Sequence, residues 1–204
     1  MAQTPASATP VHHTSGSPSW LSTVHLLSLT IWLAALLAAG LSAALIFSQM
    51  KKLQPSLPEY AAYTGEHWKI AGGMVANKVF VIVDYVQLSC AILAILTLGL
   101  TLLAANQAVP KCRPALAGVR ILFLSIACAL FCYQLFILAP RMAVHLNDFW
   151  VAAKDGKMAI ADAEQAAFDA DHPTASNVLK GTAATVFLLL ITSTIAVTRP
   201  REVA

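Results

Sequence analysis

Apolar residues run along this chain in four long unbroken stretches, and the charged positions are pushed into the gaps between them. No Asp, Glu, Lys or Arg precedes Lys51, and Trp20 to Phe47 is almost wholly apolar. Val79 to Ala105 contains Asp84 as its single charge, and Ile121 to Pro140 and Gly181 to Thr198 contain none. An α-helix rises about 1.5 Å per residue, so roughly 20 apolar residues cross the ~30 Å hydrocarbon core of a bilayer. Within lipid every backbone N–H and C=O needs an internal partner, which leaves helices and closed barrels. The runs are continuous and not alternating, and that excludes a barrel. The pattern predicts an all-α membrane protein: a four-transmembrane-helix bundle over residues 20–198, with spans at about 20–47, 74–105, 116–140 and 178–198.

The segments between the runs predict the rest. Residues 1–19, rich in Pro, Ser, Thr and Ala, read as a disordered tail. Pro55 and Pro58 forbid continuation of the first helix, and Tyr60, Tyr63, His67 and Trp68 are amphipathic rings suited to a membrane interface. Lys111 to Pro114 forms a tight connection between the second and third spans. Residues 141–175 form an extramembrane helical loop holding short amphipathic helices between the third and fourth spans. In the first of these, Met142, Leu146, Phe149 and Val151 share a side, and Gly156 ends it. The second covers about Ile160 to Ala170 and stops before His172-Pro173, so that Thr174 or Ser176 opens the fourth span.

Composition sharpens this picture. Hydrophobic residues make up 58% of the 204 positions and charged ones 11%, against about 25% charged in soluble domains. The net charge of +3 forms no basic block, so no nucleic-acid partner is expected. The expected surroundings are the lipid bilayer and other membrane-protein subunits, or further copies of the chain. A charged n-region is lacking, and the first run is twice the length of a signal-peptide core, so a retained span is expected. Lys111, Arg113, Arg120, Arg199 and Arg201 lie in very short segments, which favours the inner (plasma) membrane with the termini in the cytoplasm.

Candidate chemistry is sparse. Asp84 lies inside the second span, where a carboxylate costs roughly 2.5–3.5 kcal/mol on insertion scales, so it should meet polar neighbours. Asn77, Asp84 and Gln87 fall near one stripe of that helix, and Gln134 lies at a matching depth of the third span; together they make a candidate intramembrane polar site. His67, His145 and His172 belong to one face and could converge on a metal, although their spacing matches no tight ligand motif. No second histidine shares the depth of His25, so a haem held by two histidines is not expected. Ala35, Ala39 and Ala43 of the first span, and Ser125, Cys128 and Cys132 of the third, are strips of small residues that let membrane helices approach closely. No nucleophile elbow, phosphate loop or zinc-protease motif occurs. The residues require no cofactor, and no catalytic residue is assigned.

Three motifs carry a resemblance. The first span contains His25 followed seven residues later by Trp32, the third begins near Arg120 and closes on Ala139-Pro140, and Phe168 to His172 precedes Ser176 to Leu179. In these the chain resembles the transmembrane-protein-205-like family, also termed domain of unknown function 4149. More weakly, it is similar to the copper-resistance-D-like membrane proteins. Ala34-Ala35 stands where the first family has a glycine, and Pro173 interrupts the run after His172. The resemblance implies a multi-helix membrane fold and carries no settled activity. Two readings of function follow from the residues: an accessory subunit that associates with other membrane proteins, and a small proton or metal-ion transporter using Asp84.

Overall fold

The computed structural model describes residues 19–108 and 114–198. The expected tail, apart from Ser19, and the connection around Lys111 lie outside them. Four helices long and apolar enough to span a membrane make up nearly all of the described chain, with no strand among these residues. They are α1 (Ser19–Leu53), α2 (His67–Ala108), a third helix formed by α3 (Pro114–Tyr133) running through a π turn (Gln134–Leu138) into α4 (Ala139–Lys154), and α5 (Met158–Thr198). At 35 to 42 residues for α1, α2 and α5, these helices reach roughly 50–60 Å. That exceeds the hydrocarbon thickness, so they project beyond the lipid.

Local chemistry sets the ends. α1 carries Lys51 and Lys52 in its last turn, where cations suit the carbonyl end of a helix. Gln54 then turns into the left-handed region at φ 45°, its N–H bonding the Met50 carbonyl at 3.0 Å, and Pro55 prevents resumption. α2 begins at His67, not near Met74, because Gly72-Gly73 continues the helix. The reason is packing: a Cβ on Gly72 would come within 3.0 Å of the Phe47 ring of α1, so glycine permits the approach of the two helices. The π turn lies immediately before Pro140, which has no N–H and whose ring would clash with the carbonyl four residues back. Widening to i→i+5 bonds, as from the Ala139 N–H to the Gln134 carbonyl, absorbs that clash without ending the helix.

One expected break is missing. Pro173 lies inside α5 and does not end it, so the second amphipathic helix and the fourth span are one element of 41 residues. Pro173 is exposed. On the aqueous face water can bond the carbonyl freed by the proline, which lowers the cost that would break a buried helix.

Around the bundle α1 lies against α2 and α5, α5 against α3 and α4, while α2 meets α3 only sparsely. Two cores result. The membrane core is centred on Leu29, Trp32, Leu36, Ala94, Phe131 and Leu189, all buried. A second core caps the projecting ends, where Tyr60, Tyr63, Ile70, Phe149, Ala153 and Ala161 join the loop to α2, α4 and α5. Between 22% and 28% of the span residues are buried within the chain, and residues such as Leu41, Ile82, Leu103 and Phe136 point outward. An outward apolar surface of that extent needs lipid as its solvent.

Gly156, at φ 69°, makes the turn from α4 to α5. A Cβ there would stand 3.0 Å from that of Ala62. Gly156→Ala is therefore expected to cost about 1–3 kcal/mol in a detergent unfolding titration, from left-handed strain and crowding combined.

Candidate functional site

The most concentrated chemistry lies inside the membrane core, near the face where α1 and α3 begin. Each of the four spans contributes one polar side chain: His25 from α1, Thr97 from α2, Arg120 from α3 and Ser193 from α5. All four are buried. His25 Nδ1 lies 2.9 Å from Thr97 Oγ1, and Nε2 lies 3.2 Å from Ser193 Oγ. Arg120 Nε–H donates to Ser193 Oγ at 3.1 Å. Ser28 secures the same turn of α1 by donating to the His25 carbonyl at 2.8 Å.

One arrangement of protons satisfies every member, and the partners fix it. Thr97 donates its single hydroxyl proton to the Leu93 carbonyl at 2.6 Å, so toward His25 it can only accept. Nδ1 therefore carries the imidazole proton, and Nε2 of the neutral ring is an acceptor. Ser193 fills it by donating its hydroxyl proton, while its oxygen receives the Arg120 Nε–H. A directed chain results, from Arg120 to Ser193 to His25 to Thr97 to the α2 backbone. It crosses all four spans and fixes their register at one depth.

A second, smaller chain lies deeper. Trp32 Nε1–H donates to Gln87 Oε1 at 3.2 Å, and Gln87 Nε2–H donates to Asp84 Oδ1 at 3.2 Å. The expected polar site is thus joined in part. Asp84 and Gln87 meet, whereas Asn77 is exposed and the buried Gln134 Oε1 has no partner among the described residues. Asn77 shares the side of Asp84 but lies seven residues, about 10 Å along the helix, from it, too far for contact.

The three histidines of the projecting ends do not converge. His67 Nδ1 accepts the Leu57 N–H at 3.0 Å and Nε2–H donates to the Tyr63 carbonyl at 2.9 Å, so this ring braces the loop. His145 pairs with Glu164 at 2.7 Å, tying α4 to α5. His172 is exposed, with its ring 6.0 Å from that of Phe168. No group of three His, Cys, Asp or Glu side chains suited to a metal occurs among the described residues. Arg141 clamps Asp171 with two hydrogen bonds of 2.5 and 2.6 Å, a further α4–α5 tie. Burial raises the phenol pKa of Tyr60 and Tyr63 in this cap, with Glu59 and Asp162 adding to it respectively.

The small-residue strips divide. Ala39 is buried inside the bundle, while Ala35 and Ala43 are half-buried. Ser125 and Cys132 are exposed and Cys128 is half-buried. Ser125 and Cys128 line an open seam of about 300 Å³ between α2 and α3, together with Leu98, Gly99, Leu102 and Leu124. A Cβ on Gly99 would meet nothing within 4 Å.

Sequence reasoning did not find the four-span chain. Its signal is a histidine and an arginine in otherwise apolar spans, each about six residues in from the same face. Compared with known proteins, the chain matches no family model, no curated protein and no solved structure.

Proposed function

We propose that the protein is a non-enzymatic accessory subunit of a membrane assembly. In this reading the seam between α2 and α3 receives a transmembrane helix from another subunit or a second copy. It resides in the inner (plasma) membrane with its termini in the cytoplasm, as the dense positive charges of the short segments favour. The observation that carries the reading is the seam. Gly99, Ser125 and Cys128 open it among the larger Ile95, Leu98, Leu102, Ile121 and Leu124 that line the rest. Lipid offers no hydrophobic drive between helices, so association rests on close backbone approach and packing, which such small residues permit. The transport reading has less support, since only Asp84 and Gln87 of the four polar residues expected to line a path are joined.

Gly99→Leu tests it. The added Cβ meets nothing within 4 Å in the protomer and leucine raises helix propensity by about 0.8 kcal/mol, so the bundle itself should hold. In mild detergent the wild-type chain is expected to run as a complex larger than its own 21.6 kDa plus micelle. Gly99→Leu should weaken that complex about tenfold or more, the usual result of overfilling a packed contact. A wild-type protein that purifies as a lone protomer would overturn the proposal.

A further inference from the structure

We propose that Arg120 is the anchor of a phosphate-type oxyanion site at the membrane face where α1 and α3 begin. The side chain is 93% buried, at 7% residual exposure. It makes one hydrogen bond within the described residues, from Nε to Ser193, and no carboxylate of those residues lies in ion-pair range. The two terminal amino groups, with four N–H donors, have no acceptor among the described residues, and neither is a fully buried orphan. A permanent cation held at the edge of an apolar bundle attracts an anion, because deprotonation cannot neutralise it there. Its own network supplies none: His25, Thr97 and Ser193 are neutral, and Ser193 presents its only proton to the imidazole.

Position narrows the anion. Arg120 lies six residues after Pro114, roughly 9 Å along the helix from its first residue. A guanidinium at that depth reaches toward the level of the lipid phosphates. The planar fork matches two oxygens of a phosphate, and Ser193 occupies Nε, which leaves the terminal amino edge for another acceptor. His25, fixed between Thr97 and Ser193, is the strut that keeps Ser193 in place. The same chemistry is offered by a phospholipid headgroup and by free phosphate, and the site takes either.

The test uses the full chain in a maltoside detergent. Purified protein is titrated with dioleoylphosphatidylglycerol, with dioleoylglycerol, which lacks the phosphate, and with inorganic phosphate against chloride at equal ionic strength. Bound lipid is read by native mass spectrometry, and the Arg120 terminal amino resonances by ¹⁵N NMR. The expected result is saturable 1:1 binding of phosphatidylglycerol but not dioleoylglycerol, a shift of those resonances, and about tenfold or greater weakening in Arg120→Gln. Arg120→Lys, which keeps the charge but not the fork, should retain part of the affinity. Binding of phosphatidylglycerol alone assigns the anion to a headgroup; a matching resonance shift with inorganic phosphate assigns it to phosphate of either source. Unmoved wild-type resonances with every additive would overturn the proposal even if Arg120→Gln failed to fold, and so would equal binding by wild type and Arg120→Gln.

Discussion

Trp32→Ala is expected to destabilise the bundle by about 3–5 kcal/mol, the largest loss from any single truncation in the membrane core. The indole is fully buried, stands edge-on to Phe131 with ring centres 6.2 Å apart, and donates to Gln87. Truncation empties a space bounded by α1, α2 and α3 and leaves Gln87 Oε1 without its donor. The helices remain in lipid when the bundle comes apart, so the loss is one of packing and hydrogen bonding, with little change in water exposure. Trp32→Phe separates the two contributions. It keeps a ring against Phe131 and should cost about 1–3 kcal/mol, chiefly for the orphaned amide oxygen. Unfolding titrations of purified protein in mixed micelles measure both, and a Trp32→Phe variant as stable as the wild type would show that the indole N–H contributes nothing.

His25→Leu is expected to cost about 2–4 kcal/mol in the same titration, although leucine fits the volume and suits lipid better. The ring bridges Thr97 and Ser193. Interhelical hydrogen bonds in membranes average ~0.6 and reach ~1.7 kcal/mol each, and two are lost. Ser193 also loses its acceptor beside a buried guanidinium, which adds a desolvation cost. A separate readout is the tautomer: ¹⁵N NMR of the wild-type protein should place the imidazole proton on Nδ1. A proton on Nε2 with Nδ1 bare would contradict the directed chain, because Thr97 has already committed its hydroxyl to Leu93.

The four helices were legible because continuous apolar runs of that length have one solution in lipid. Their ends were less so. Pro173 looks like a terminator in sequence, and only its place on an exposed face of α5 makes it tolerable. Gly72-Gly73 looks like a break, and its use emerges once the Phe47 ring of α1 is seen against it. The polar site was legible in part. Asp84 and Gln87, three residues apart on one helix, do meet. Asn77 lies two turns from Asp84 along the helix, and Gln134 in the π turn meets no partner for its Oε1 among the described residues. The four-span chain escaped for a different reason. Thr97 and Ser193 are ordinary hydroxyls in apolar spans, commonly bonded to their own backbone. Nothing local marks them as partners of His25 and Arg120, and their register across helices separated by 72 and 73 positions is a tertiary fact.

The central claim is that the four apolar helices each cross the bilayer, placing the two connections Ala62 and Lys157 on one side and the α3 start and α5 end on the other. Single cysteines at Ala62, Ala115, Lys157 and Thr198, all exposed, in a background whose native cysteines are replaced, test it with a membrane-impermeant maleimide added to sealed vesicles of known orientation. Ala62→Cys and Lys157→Cys should label together from one side, and Ala115→Cys and Thr198→Cys together from the other. Labelling of Ala62→Cys and Ala115→Cys from the same side would mean that α2 does not cross, and would contradict the four-span bundle.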